Sequence, residues 1–174
     1  MARDTGISHT TAKRWLSLLE TSYILFLVPP YFNNFSKRIV KSSKLYFYDT
    51  GLLAHLLKVK NAQSLHKQNL KGHLFENMIV SEYVKQNYHQ NLLLNLYFWR
   101  DSKGHEIYLL FENENGFNAI EIKASATIKY DFFKNLSYFN NVAKDLEINN
   151  TLIYSGLKDT KRNAIQVKSW KNAF

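Results

Sequence analysis

The pattern of apolar and polar positions changes period several times along this 174-residue chain. In "SHTTAKRWLSLLE" Ala12, Trp15, Leu16 and Leu19 recur at helical spacing, while Thr10, Lys13, Arg14 and Ser17 fall mainly on the opposite side. Ser8 suits the N-cap, since its hydroxyl can accept from a free first-turn amide, and Gly6 permits a tight turn before it. The pattern predicts a helix-turn-helix, whose second helix would present polar side chains to a DNA groove. Residues 23–28 read as a strand ended by Pro29 and Pro30, and residues 44–48 as its antiparallel mate. The connection between them carries Lys37, Arg38, Lys41 and Lys44. A hairpin placed there is the wing of a winged helix. Asp49 or Thr50 then caps a short helix running to about Leu57.

Residues 61–70 are polar with little periodicity and read as a linker, with room for a short helix. From Gly72 the character changes. "HLFENMIVSEYVKQNY" predicts a helix with Leu74, Phe75, Met78, Ile79 and Tyr83 on its apolar face. Three strands follow, "LLLNLYFWR", "HEIYLLFE" and "GFNAIEIKA", with "ENENG" as the turn between the last two. Residues 130–141 fit a helix with Phe132, Phe133, Leu136 and Phe139 toward the core; "NTLIYSG" is a strand and "NAIQVKSW" an edge strand. Strand alternation puts Glu121 and Lys123 on one face, with Ile120 and Ile122 on the other. On the preceding strand it groups Glu106, Tyr108 and Leu110 against Ile107, Leu109 and Phe111.

Composition narrows the classes. The chain is 45% hydrophobic and 15% aromatic, which fits a packed fold and argues against disorder. It lacks cysteine, which excludes disulfides and thiolate metal sites. No apolar run approaches the ~20 residues of a membrane span, and "MARDTGIS" lacks the apolar core of a signal peptide; no membrane partner and a cytoplasmic setting are therefore expected. The net charge is +9 and uneven: residues 1–60 hold nine Lys/Arg against three Asp/Glu. That bias points to a polyanion such as DNA, or to plain solubility. There is no glycine-rich phosphate loop, and the six histidines, His66 and His73 among them, show no ligand spacing.

Glu121 and Lys123 raise the chemical question. A solvated strand face yields Glu-x-Lys often; a metal-dependent phosphodiesterase uses the same pair to hold a cation and steady developing negative charge. The order of five segments is more specific. "RDTGISHTTAKRWLSLLE", "KLYFYDTGLLAHLL", "GHLFENMIVSEYVK", "YFWRDSKGHEIYLL" and "NAIEIKASAT" together resemble the C-terminal region that follows the ATPase module in many bacterial and archaeal AAA-type ATPases. From about residue 71 the chain looks like the PD-(D/E)xK nuclease fold. The resemblance implies that Glu76 is the acid of the first helix, that Glu121 and Lys123 are the Glu-x-Lys pair, and that Glu121 and Glu76 would ligate Mg²⁺ if the site were active. It also exposes a departure: Tyr108 stands where active members place the middle-strand aspartate. A neutral phenol (pKa ~10) is a poor ligand for Mg²⁺, which prefers hard oxygens. Glu106, two residues away and about 7 Å along an ordinary strand, is the remaining acid that could substitute.

The expected fold is therefore α+β: an N-terminal winged helix-turn-helix (1–60, first helix missing), a linker (61–70), and a restriction-endonuclease-like α-βββ-α-β domain (71–174). The expected function is a nucleic-acid-binding or regulatory module with an inactive nuclease-like site and no cofactor. Thr10, Lys13, Arg14, Lys37, Arg38 and Lys41 are the candidate DNA contacts. A Mg²⁺-dependent endonuclease and a protein-interaction or oligomerising module remain as alternatives. The expected partners are DNA, the ATPase module of a longer parent protein and a second copy of the chain. A helix-turn-helix needs an earlier helix over its apolar stripe, and Met1 comes too late to supply one. The chain thus reads as a C-terminal piece, with Trp15 or Leu16 left under-covered.

Overall fold

A six-stranded mixed sheet, covered by one helix on each face, carries a two-stranded hairpin against one edge in the computed structural model, which describes residues 6–32, 42–67 and 69–174 and only the backbone of 66 and 67. Lys37, Arg38 and Lys41 of the expected basic loop lie outside the described residues. The described chain runs α1 (His9–Thr21), β1 (Leu25–Val28), β2 (Lys44–Phe47), α2 (Thr50–Leu56), α3 (Ala62–Lys67), α4 (Lys71–His89), β3 (Tyr97–Arg100), β4 (Glu106–Asn113) and β5 (Gly116–Lys123). A 3₁₀ turn (Tyr130–Phe133) then leads into α5 (Lys134–Val142), β6 (Glu147–Tyr154), β7 (Thr160–Arg162), β8 (Ile165–Ser169) and a last 3₁₀ turn, Trp170–Asn172. The architecture is mixed α and β, with five helices among the described residues.

Local signals act where the sequence places them. Ser8 Oγ accepts from Thr11 N at the start of α1, and Asp49 caps α2 by accepting from Leu52 N. Gly6 adopts the left-handed backbone, φ 67°, of the turn before α1. β1 and β2 pair antiparallel from Leu25–Phe47 to Val28–Lys44. Helix α1 buries none of its residues; Trp15 is 58% exposed and Leu18 66%. The under-covered Trp15 agrees with the expectation for this stripe.

The sheet order is β3-β4-β5-β6-β8-β7. β3–β4 and β4–β5 are antiparallel, β5–β6 and β6–β8 parallel, β7–β8 antiparallel. Helix α4 covers one face: Ile79, Val80 and Val84 pack with Leu109, Ile120, Ile122 and Ile153. Helix α5 covers the other, where Leu136 and Phe139 meet Leu110, Ala119, Leu152 and Val167. Phe26, Val28 and Tyr46 of the hairpin belong to the α4-side core, so the hairpin and the sheet share one apolar layer.

β1 stops at Val28, before the prolines, as expected, and the chain beyond it still meets the sheet. Phe98 N donates to Pro29 O at 3.1 Å and Tyr31 N donates to Phe98 O at 2.7 Å, so the chain past β1 runs beside β3 and bridges it at Pro30. Pro30 needs no donor of its own there, which is how proline is accommodated at a sheet edge. Residues 92–96, expected as the start of β3, lie outside it. Asn91 and Leu93 take positive φ, 51° and 54°, and the Asn87 amide holds both Leu94 N and Leu94 O. The added strand β7 is three residues long, and Thr160, Lys161 and Arg162 are all exposed.

Candidate functional site

The site forms where β4 and β5 part. Their pairing runs from Asn113–Gly116 up to Leu109–Ile120 and stops. β5 continues through Glu121, Ile122 and Lys123 beside β6. In the same place β4 gains a residue against β3: the register shifts between Tyr97–Leu110 and Trp99–Ile107. An inserted residue breaks the two-residue alternation. The predicted faces of β4 are corrected accordingly. Ile107 and Leu110 lie in the α5-side core, while Tyr108 packs beside Leu109 and Phe111 against the α4-side core. The bulge turns Tyr108 into the opening between the strands.

Glu121 and Lys123 share a face, as alternation predicts, and the Lys123 ammonium lies 2.5 Å from Glu121 Oε1. The contact is an ion pair, and the Asn135 side chain also lies beside the carboxylate. Glu121 is fully buried. Burial pushes its carboxyl up to about 7; the Lys123 ammonium and the Asn135 amide pull it down, and Glu106 opposes them weakly. The Lys123 ammonium also sits 5.4 Å from the centre of the Tyr108 ring and 5.9 Å from that of Phe132.

Glu76 projects from the second turn of α4. It accepts from the Tyr46 hydroxyl at 2.7 Å and from Lys44 Nζ at 2.6 Å. Lys44 Nζ also forms an ion pair with Glu106 Oε1 at 2.8 Å. The same ammonium lies 4.6 Å from the Tyr108 ring centre. Burial raises the Tyr108 phenol well above its ordinary range, and the charges of Glu76, Glu121 and Glu106 raise it further against the weaker effect of Arg100. The Tyr46 phenol is likewise held protonated, first by burial and then by Glu76.

A neighbouring residue fixes the hairpin here. Asn77, on α4, offers its amide as a peptide-like partner to the open edge of β2: Phe47 N donates to Oδ1 at 2.8 Å, and Nδ2 donates to Phe47 O and Thr50 Oγ1, each at 3.0 Å. An open cleft of about 500 Å³ is lined by Lys44, Tyr46, His73, Glu76, Arg100, Glu106 and Tyr108 among others.

The structure thus brings Glu76, Glu106, Tyr108, Glu121 and Lys123 to one opening and adds Lys44 and Tyr46, which strand periodicity had not singled out. For Mg²⁺ the fit is poor. Among the described residues no group of three or more His, Asp or Glu side chains is disposed to hold a metal ion. An ammonium already bridges Glu76 and Glu106, and a protonated phenol stands at the opening. Asp101, beside the site, is structural: its carboxylate accepts from Lys103 N and His105 N, each at 2.9 Å, and pins the β3–β4 turn. Thr10, Lys13 and Arg14 lie apart from this cluster in sequence, exposed on α1. Among the described residues no helix is long and apolar enough to cross a membrane.

Comparison with known proteins places the two halves. Residues 1–63 match a family described as a domain of unknown function, DUF8612. Uncharacterized protein Mb2031c of Mycobacterium bovis and uncharacterized protein Rv2008c of Mycobacterium tuberculosis are each 30% identical over 128 residues, 73% of this chain. The chain matches 28% of the length of those relatives. No solved structure matches it. Residues 71–172, more than half of the chain and all six strands of the main sheet, match the domain of unknown function DUF4143, and the chain belongs to that family.

Proposed function

We infer that the chain is a nucleic-acid-binding or regulatory module in the service of an AAA-type ATPase. In this reading a winged helix precedes a nuclease-like α-βββ-α-β domain whose metal site is silent. The observation that carries it is Tyr108, a half-buried phenol turned by the β4 bulge into the opening that Glu76, Glu106 and Glu121 surround. Metal-assisted phosphodiester cleavage needs an anionic ligand there to seat the ion that activates water and stabilises charge. Support for DNA as partner comes from the charge bias of residues 1–60 and from the exposed Thr10, Lys13 and Arg14 on α1.

The test has two arms. Fluorescence anisotropy with duplex DNA should show binding that weakens with salt, and Lys13→Ala/Arg14→Ala should lower the logarithmic salt slope by about 2. Plasmid incubated with Mg²⁺ or Mn²⁺ should stay intact. Cleavage that Lys123→Ala abolishes would replace this reading with the endonuclease, for which the adjacent Glu121 and Lys123 are the supporting feature. Failure to bind DNA at low salt, with a stable dimer in solution, would favour an interaction module, for which the exposed Trp15 and Leu18 speak.

A further inference from the structure

The acidic cleft has an occupant, and it comes from the other half of the chain. Lys44 is the first residue of β2, 32 residues before Glu76. Its ammonium touches Glu76 at 2.6 Å and Glu106 at 2.8 Å. It also lies over three rings, 4.6 Å from the centre of Tyr108 and 5.7 Å from those of Tyr46 and Phe98. Two carboxylates and three π-faces are the surroundings of a bound cation. The carboxylate oxygens are also those a hard divalent ion would take. One seat cannot hold both, because the ion would meet the ammonium at contact distance.

The tether is firm. The β1–β2 pairing ends at Val28–Lys44, the segment after β1 is bonded to Phe98, and Asn77 clamps Phe47 on the same strand as Lys44. The cleft itself is open, about 500 Å³, with Arg100 and His73 also in its lining. A hydrated ion can therefore approach; what stops it is charge.

We propose that the Lys44 ammonium is the resident cation of this cleft, locking the β1–β2 hairpin to α4 and β4 and excluding divalent cations from Glu76 and Glu106. This goes beyond the proposed function and does not depend on it: a chain that binds no DNA would still carry the tethered cation.

The test uses the full chain and Mn²⁺ alone, with neither DNA binding nor cleavage as a readout. In the native protein, thermal unfolding should be the same in EDTA and in millimolar Mn²⁺, and the NMR signal of the Lys44 ammonium should stay sharp when the paramagnetic ion is added. Lys44→Gln should unfold at a lower temperature in EDTA. Mn²⁺ at about 100-fold above its dissociation constant should then raise that temperature by roughly 7 °C. The rise should vanish in Lys44→Gln/Glu106→Gln. The proposal is overturned if Mn²⁺ stabilises the native protein as much as the variant, if it broadens the Lys44 signal, or if folded Lys44→Gln ignores it. Should Lys44→Gln fail to fold, the native-protein signal decides: sharp with Mn²⁺ supports the lock, broadened refutes it.

Discussion

Two acid–lysine clusters flank Tyr108, and they are built in opposite ways. Glu121 and Lys123 lie two residues apart on one strand; the acid is fully buried and the neighbouring ammonium is its ion-pair partner. Lys44, Glu76 and Glu106 come from three elements, each is partly exposed, and the Tyr46 hydroxyl completes the set. Adjacency brings the first pair together with little chain entropy to overcome, but it leaves the carboxylate desolvated. The second cluster has to close long loops, and in return its charges keep water on one side and an oppositely charged partner on the other. A buried pair tends to be costly to break because the survivor is left uncompensated; a distributed cluster shares the loss.

The comparison can be broken most directly at Lys123. Lys123→Ala strands a fully buried carboxylate, and the expected loss is about 3 kcal/mol at pH 8 by denaturant unfolding. The loss should shrink at pH 5, where Glu121 can take a proton. Equal losses at both pH values would mean that Lys123 acts through packing.

The native protein should show the same contrast as a pH slope. The folded Glu121 carboxyl titrates near 7 against an ordinary 4.5, so the folded state holds its proton more tightly than the unfolded one. Its contribution is fully present below pH 4.5 and is lost as pH rises through about 7. A shift of that size is worth roughly 3 kcal/mol. Glu121→Gln should flatten this part of the profile; an unchanged slope between the two proteins would remove Glu121 as its source.

The smallest effect belongs to the distributed cluster. Tyr46→Phe deletes one hydrogen bond to Glu76 while Lys44 remains, and should cost about 1.5 kcal/mol. A cost as large as that of Lys123→Ala would show that the three-element cluster depends on a single contact after all.

The first cluster was legible in the sequence and the second was not, for a physical reason. Alternation within "AIEIKA" is a local rule, so it places Glu121 and Lys123 together without knowledge of the rest of the fold. Caps obey the same locality, and Ser8 and Asp49 act where expected. Lys44 read as one more charge in a basic loop because its partners lie 32 residues away on α4 and on the far strand β4. The bulge at Tyr108 escaped because an inserted residue is defined against a neighbouring strand, in this case β3. Asn77 escaped for a related reason: its task is to stand in for a strand beside Phe47, and nothing near it in the chain asks for one. Helix α1 makes the converse point. Its stripe is clear in the sequence, yet the folded chain buries none of it.

The flanks of the sheet carry a last consequence. At one side the run from Pro29 to Tyr31 roofs β3. At the other, β7 offers a rim three residues long that displays Lys161 and Arg162. Unsatisfied strand rims are where proteins recruit foreign strands and grow fibrils, and brevity and positive charge are deterrents to it. Among the described residues, the two flanks of this sheet therefore give a crowded solution little to template from.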